Sequence, residues 1–268
     1  MGFTAPRFFV NKNQISNVTT PKTAQGPLAT ITGGDARHIC VVLRMRAGEQ
    51  LVVCDGEGAD YLCELTLVGQ DEVHATVLKT EPSAGEPPVE ITLLQSLPRS
   101  DKFEYIIQKC VELGIYGIVP VVSEHTQYSE RARGAGGAKL MQRWRRIAYE
   151  AAKQSGRGVA PEIAEVVDFK AAAGAAARDV AESPQTRFAL VPYENEEART
   201  LKSALTEWKK LHNTDKAYYF IGPEGGFSVA EIEYCQNLGI APVTLGPRVL
   251  RTETAGLVVL SQIMYEFT

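Results

Sequence analysis

The sequence has little with which to build metal or disulfide chemistry. Its five cysteines (Cys40, Cys54, Cys63, Cys110 and Cys235) are odd in number, and none stands in a CxxC pair. That argues against a disulfide framework and against a structural zinc site, and apolar flanks mark most of them as reduced core residues. The four histidines (His38, His74, His125 and His212) are scattered without HExxH spacing, so no metal is expected. Long apolar runs are also missing. No stretch approaches the roughly 20 apolar residues of a membrane helix. Residues 1–14 lack the basic segment and apolar core of a secretory signal, and Pro6 stands where a myristoylation signal would carry Ser or Thr. The expectation is a cytoplasmic protein with no membrane partner.

Net positive charge is absent too: the formal charge is −4, mildly unfavourable for a nucleic-acid partner. Distribution matters more than the total. Residues 131–157 hold eight basic side chains (Arg131, Arg133, Lys139, Arg143, Arg145, Arg146, Lys153 and Arg157) against one acid, Glu150. The segment reads as a polyanion site or as a solvated helix face.

Along the chain the rhythm changes once. Residues 50–55, 60–67 and 72–79 read as short strands, and 35–45 as a short helix closed by Gly48, which together suggest a small barrel. The Pro- and Gly-containing stretch 81–88 reads as a linker. Beyond it, strands at 89–95, 117–122, 187–191, 217–221 and 242–245 alternate with helices at 101–113 and 139–154. A glycine-rich stretch, 133–137, reads as a mobile loop. The alanine-rich stretch 171–177 reads as a surface helix, and Pro120 suggests that its strand lies at an edge or a bulge. Asp101-x-x-Glu104 and Ser228-x-x-Glu231 are capping-box patterns. Such alternation implies an α/β domain with a largely parallel sheet, whose ligands bind beyond the carboxyl ends of the strands.

Two such strand ends carry the chemistry. The first, Ile221-Gly222-Pro223-Glu224-Gly225-Gly226, has three glycines in five residues, more than a tight turn requires. It is neither GxGxxG nor GxxxxGK[ST]. Pro223 removes an N–H and Glu224 places a carboxylate where a phosphate would sit, so a phosphate-free, cationic ligand suits it better than a dinucleotide. The second, Leu245-Gly246-Pro247-Arg248-Val249-Leu250-Arg251-Thr252, is again a strand followed by a Gly-Pro turn and a helix. Val249 and Leu250 could wall a purine, Thr252 or Thr254 could cap the helix, and Arg251 with Glu253 reads as a structural ion pair or as a catalytic one. A third segment ends the basic helix. There Glu150 and Gln154 share a face, and Gln154 and Arg157 could meet a base edge and a phosphate, or could be plain helix surface.

Taken together, IGPEGGFS (221–228) and LGPRVLRTETA (245–255) closely resemble the small-subunit ribosomal RNA uridine-N3 methyltransferase family of the SPOUT superfamily. Residues 7–10, 38–48, 100–114 and 143–157 resemble that family in the same order. The resemblance implies two domains: a PUA-like β-barrel that helps bind RNA (1–80) and a SPOUT α/β domain with a trefoil knot (89–268), working as a homodimer. It implies S-adenosylmethionine as cofactor, held by Ile221, Gly222, Glu224, Gly225 and Gly226 together with Leu245, Gly246, Leu250, Arg251 and Thr252. The implied target is one uridine of 16S ribosomal RNA in the small subunit. Arg7, Arg44, Arg143, Arg146, Gln154 and Arg157 are then the expected RNA contacts. The N3 proton must leave before methyl transfer, so Glu150 is the candidate acceptor and Arg251 the candidate stabiliser of the uracil anion.

Overall fold

The computed structural model describes residues 5–16, 26–99, 102–127, 134, 136–211 and 214–267. Asp101, Arg131, Arg133, His212 and, of the expected loop 133–137, residues 133 and 135 lie outside the described residues. The chain divides into two units, one made of residues 1–86 with 152–160, the other of 87–151 with 161–268. Two details concern the expected linker at 81–88 and the basic helix. Strand β6 (Glu72–Pro82) runs on into the expected linker, and the segment after the basic helix returns to the first unit.

The first unit is a six-stranded sheet in the order β1-β4-β5-β6-β3-β2. Its strands are β1 (Arg7–Phe9), β2 (Ile15–Ser16), β3 (Leu28–Thr32), β4 (Gln50–Cys54), β5 (Ala59–Val68) and β6. Alternating residues Val73, Ala75 and Val77 of β6 join Ile31, Leu51, Val53 and Leu65 in its core, the period-2 pattern of a sheet with one buried face. The expected helix at 35–45 is α1 (Gly34–Arg37), widening into a π-turn over His38–Val42. The returning segment is held by Glu86, whose Oε1 accepts from the N–H groups of Gly158 (2.9 Å) and Val159 (3.1 Å).

The second unit is a seven-stranded parallel sheet in the order β10-β8-β7-β12-β11-β13, with β9 also paired to β8. Its strands are β7 (Glu90–Ser96), β8 (Gly117–Val122), β9 (Glu162–Ile163), β10 (Val167–Asp168), β11 (Arg187–Pro192), β12 (Lys216–Ile221) and β13 (Ala241–Val243). Its helices are α2 (Lys102–Glu112), α3 (Gly137–Ser155), α4 (Phe169–Glu182), α5 (Leu201–Leu211), α6 (Val229–Asn237) and α7 (Thr252–Phe267). The last residues of α3 belong to the first unit.

Neighbouring residues of the central strands show how both faces are covered. Tyr219 and Phe220 pair with Leu93 and Leu94. Tyr219 turns to α2 and α7, touching Cys110 and donating to the Gly256 carbonyl (3.2 Å). Phe220 turns to the opposite face and meets Phe169 of α4, ring centroids 5.8 Å apart. Helix α4 is therefore not a surface helix. Its residues Phe169, Ala172, Ala173 and Ala176 recur at i, i+3, i+4, i+7 and are buried in that face's core.

Pro120 is likewise not at an edge, because β8 lies inside the sheet. Its partner on that side changes at this residue. Strand β9 pairs with Gly117 and Ile118, and β10 with Val121 and Val122. The missing N–H of Pro120 falls in the gap between two short partners, where no ladder bond is lost.

Candidate cofactor site at two strand-end loops

The first loop leaves β12 at Ile221 and is shaped by its own turn and by the helix that follows. Gly226 N–H donates to the Pro223 carbonyl (3.0 Å). The predicted capping box is present: Ser228 N–H donates to Glu231 Oε2 (2.9 Å) and Glu231 N–H to Ser228 Oγ (3.3 Å). Such a cap contributes about 1 kcal/mol. Glu231 also accepts from Glu124 N–H (2.9 Å), and the Gly226 carbonyl lies 3.1 Å from His125 Nδ1, so the segment after β8 braces the loop. This bracing accounts for part of the glycine excess. A Cβ on Gly225 would stand 3.0 Å from His125 Cβ, while Gly226 has φ +69° and a Cβ there would meet Glu194 Oε1 at 2.9 Å.

The second loop follows β13. Residues 246–249 are exposed, Val249 to 89%, and Leu250 is half-buried. Gly246 N–H donates to Thr244 Oγ1 (3.2 Å). The loop ends at the start of α7, where the Arg251 carbonyl accepts from Thr254 (2.9 Å) and Ala255 (2.8 Å). Neither threonine caps the helix with its side chain. The Thr252 hydroxyl is committed elsewhere: it donates to the Gly222 carbonyl at 2.7 Å and accepts from Gln95 Nε2 at 2.9 Å. Gln95, fully buried at the end of β7, also donates to the Ser96 carbonyl (2.9 Å). The two loops thus meet directly, behind the carboxyl ends of adjacent strands β7 and β12. The chain reaches this joint from β13 by passing β11 and β12 in the sheet order.

Electrostatics joins the loops a second time. Lys102 Nζ lies 3.1 Å from Glu224 Oε1 and 3.3 Å from Glu253 Oε2. Glu253 is therefore the partner of Lys102 and not of Arg251, and Arg251 is exposed with no ion-pair partner among the described residues. Glu224 also accepts from Arg99 N–H at 3.1 Å. Partial burial opposes its ionisation, but main-chain N–H groups (its own and that of Arg99) and Lys102 outweigh that, holding its carboxyl below the ordinary value. The Glu224 side chain thus takes main-chain donors that a phosphate would need. The N–H groups of Gly226 and Ser228 are spent on protein acceptors as well. The residues present fit a phosphate-free, cationic group and do not make an anion nest.

Among the described residues there is no group of three or more His, Cys, Asp or Glu placed to hold a metal, and no helix long and apolar enough to cross a membrane. A cleft of about 780 Å³ at strand β10, lined by Gly137, Met141, Arg145, Glu165 and Asp168, shares no residue with the two loops.

Comparison with known proteins decides what kind of site this is. The RNA methyltransferase domain family matches residues 85–264, and the RNA methyltransferase PUA domain family matches residues 31–78. The chain belongs to the RNA methyltransferase family. The ribosomal RNA small subunit methyltransferase E of Bacillus subtilis is 32% identical over 93% of this chain and 94% of its own length. A ribosomal RNA small subunit methyltransferase E from Neisseria gonorrhoeae, solved bound to S-adenosyl methionine, is 29% identical with a TM-score of 0.78, covering 97% of both chains. A methyltransferase from Legionella pneumophila in complex with the same cofactor is 26% identical with a TM-score of 0.75, covering 98% of both chains. The first unit is thus the PUA-type domain and the second the SPOUT-type α/β methyltransferase domain.

The other expected site residues are spread over both units. Arg44, Arg143, Arg146, Gln154 and Glu150 are exposed, Arg143 while pairing with Glu104 (2.7 Å). Two of the expected RNA contacts, Arg157 and Arg7, are paired with carboxylates of the protein itself. Arg157 is 2% exposed and bonds Glu86 Oε2 at 2.6 Å. Arg7, with 9% of its side chain exposed, bonds Asp60 Oδ1 at 2.6 Å. Arg7 compensates the buried Asp60 carboxylate and Arg157, itself buried, is compensated by half-buried Glu86, so breaking either pair inside the first unit would strand a charge. Sequence reasoning missed Gln95 and Lys102. A glutamine closing the apolar run VEITLLQ was a usable signal, since a polar residue at a strand's carboxyl end is placed for ligands or for loops that hold them.

Proposed function

We propose that the protein transfers a methyl group from S-adenosylmethionine to N3 of one uridine in 16S ribosomal RNA. The observation that carries this reading is the bond from Thr252 Oγ1 to the Gly222 carbonyl. It makes one site of two Gly-Pro loops in a chain of the RNA methyltransferase family. Bound there, S-adenosylmethionine supplies a methyl group on a positively charged sulfur. The main chain of residues 221–226 and 245–252 orients it, and half-buried Leu250 walls the purine together with Val249.

Uracil N3 carries a proton and attacks only as the anion. Glu150, exposed on α3, accepts that proton, and the exposed guanidinium of Arg251 stabilises charge developing on a uracil carbonyl oxygen. Arg44, Arg143 and Arg146 contact phosphates, and Gln154 reads a base edge. Exposed Tyr105 and Leu113 on or beside α2 and Tyr265 on α7, two helices that pack together, support a homodimer through this face.

The test is methylation of small-subunit ribosomal RNA in vitro, with the product mapped by mass spectrometry. A single N3-methyluridine is expected. A methyl group on another base or on a ribose, or none at all, would contradict the reading.

A further inference from the structure

We propose that Lys102 is a positioning residue for the methyl-donor site, setting the spacing of the two loops from the first turn of α2. This rests on the methyl-donor reading above and adds a residue that belongs to neither loop. The ammonium pairs with Glu224 of the first loop at 3.1 Å and with Glu253 at 3.3 Å, in the first turn of the helix that closes the second loop. The side chain rises from an anchored place, because the next residue, Phe103, and then Ile106 and Ile107 are buried under the sheet. Its backbone is therefore fixed while its tip spans the loops.

The charges give this bridge its force. Glu253 Oε2 is buried and accepts no hydrogen bond, so the lysine is what compensates it. Without the ammonium, two carboxylates would share a partly desolvated space with no cation between them, and like charges so placed repel. The Glu224 and Glu253 ends of the loops would part. The Gln95–Thr252–Gly222 joint is uncharged and sits deeper, so it would persist and the domain would stay folded. Lys102 thus acts on loop spacing, and through it on how the donor is held.

The test is calorimetric titration of the full-length protein with S-adenosylhomocysteine, alongside steady-state kinetics. Lys102→Met is expected to weaken binding at least tenfold in a protein that still unfolds cooperatively, at a midpoint lowered by the uncompensated Glu253 carboxylate. KM for S-adenosylmethionine should rise by a similar factor while kcat changes much less. Lys102→Arg should restore most of the affinity. If Lys102→Met fails to fold, the double variant Glu224→Gln with Glu253→Gln leaves the lysine without charged partners and should show the same loss. Wild-type binding with either variant within twofold of it would overturn the role of Lys102 alone, as would a fall in kcat with KM unchanged. A wild type that does not bind S-adenosylhomocysteine would overturn the methyl-donor reading and this inference together.

Discussion

The two loops differ in how they are held. Residues 221–226 are fixed along their length: Gly222 by Thr252, Glu224 by Arg99 and Lys102, Gly226 by Pro223 and His125. Residues 245–252 are fixed mainly at their ends, by the Thr244 hydroxyl and by Thr252, and between them five residues lie exposed. The first loop is a preformed floor. The second is held at its ends, and its middle packs little against the protein. Substitutions in the floor should therefore cost stability and binding together, while those in the middle of the second loop should cost binding alone.

The largest effect should come from the joint that both loops share. Thr252→Val removes the donor to the Gly222 carbonyl and the acceptor for Gln95 inside a buried site, so unfolding stability should fall by about 1–3 kcal/mol. Affinity for S-adenosylhomocysteine should fall at least tenfold in the same preparation, as chemical denaturation and calorimetry would show. Next is Gly226→Ala. A positive φ and a Cβ driven towards Glu194 should cost about 1 kcal/mol or more of stability, measurable as a lowered Tm.

Val249→Ala should sharpen the contrast from the other side. At 89% exposure its removal should leave stability within about 0.5 kcal/mol of the wild type. Cofactor affinity should still drop severalfold if Val249 covers the purine as proposed. Equal affinity would show that Val249 does not contact the purine.

The smallest effect concerns pH. The Glu224 carboxyl is held below its ordinary value, so its contribution is complete above the unfolded value of about 4.3 and is lost as pH falls through the folded one. Lys102, raised chiefly by its hydrogen bond to Glu224, keeps its charge to higher pH than an ordinary lysine. Affinity for S-adenosylhomocysteine should therefore be flat from pH 8 down to about pH 5 and decline only below the ordinary glutamate range. A midpoint near neutrality would place a different group in control.

Much of this arrangement was legible before the structure, and what was legible was local. The strand at Gly117–Val122, the cap at Ser228 and the strand-loop-helix outline around Glu224 follow from spacing within a few residues. The misreadings share one cause: each depended on a partner distant in sequence. Pro120 sits harmlessly in an interior strand because β9 and β10 divide its neighbour between them. The alanines of α4 are buried because Phe220 packs against that helix's Phe169. Arg157 looked like a phosphate contact until Glu86, 71 residues away, claimed it. Glu253 looked like the partner of Arg251, two residues before it, but Lys102 is nearer in space. Within the site the sequence named both loops, and it missed Gln95 and Lys102, the two residues outside them that hold them together.

The most direct measurement is a crystal structure of the protein with S-adenosylhomocysteine. The account predicts an adenosine between residues 221–226 and 245–252, with Val249 turned onto the base and the Thr252–Gly222 bond intact. Nucleoside found instead in the cleft beside Asp168, or a ligand that binds only after that bond is broken, would contradict it.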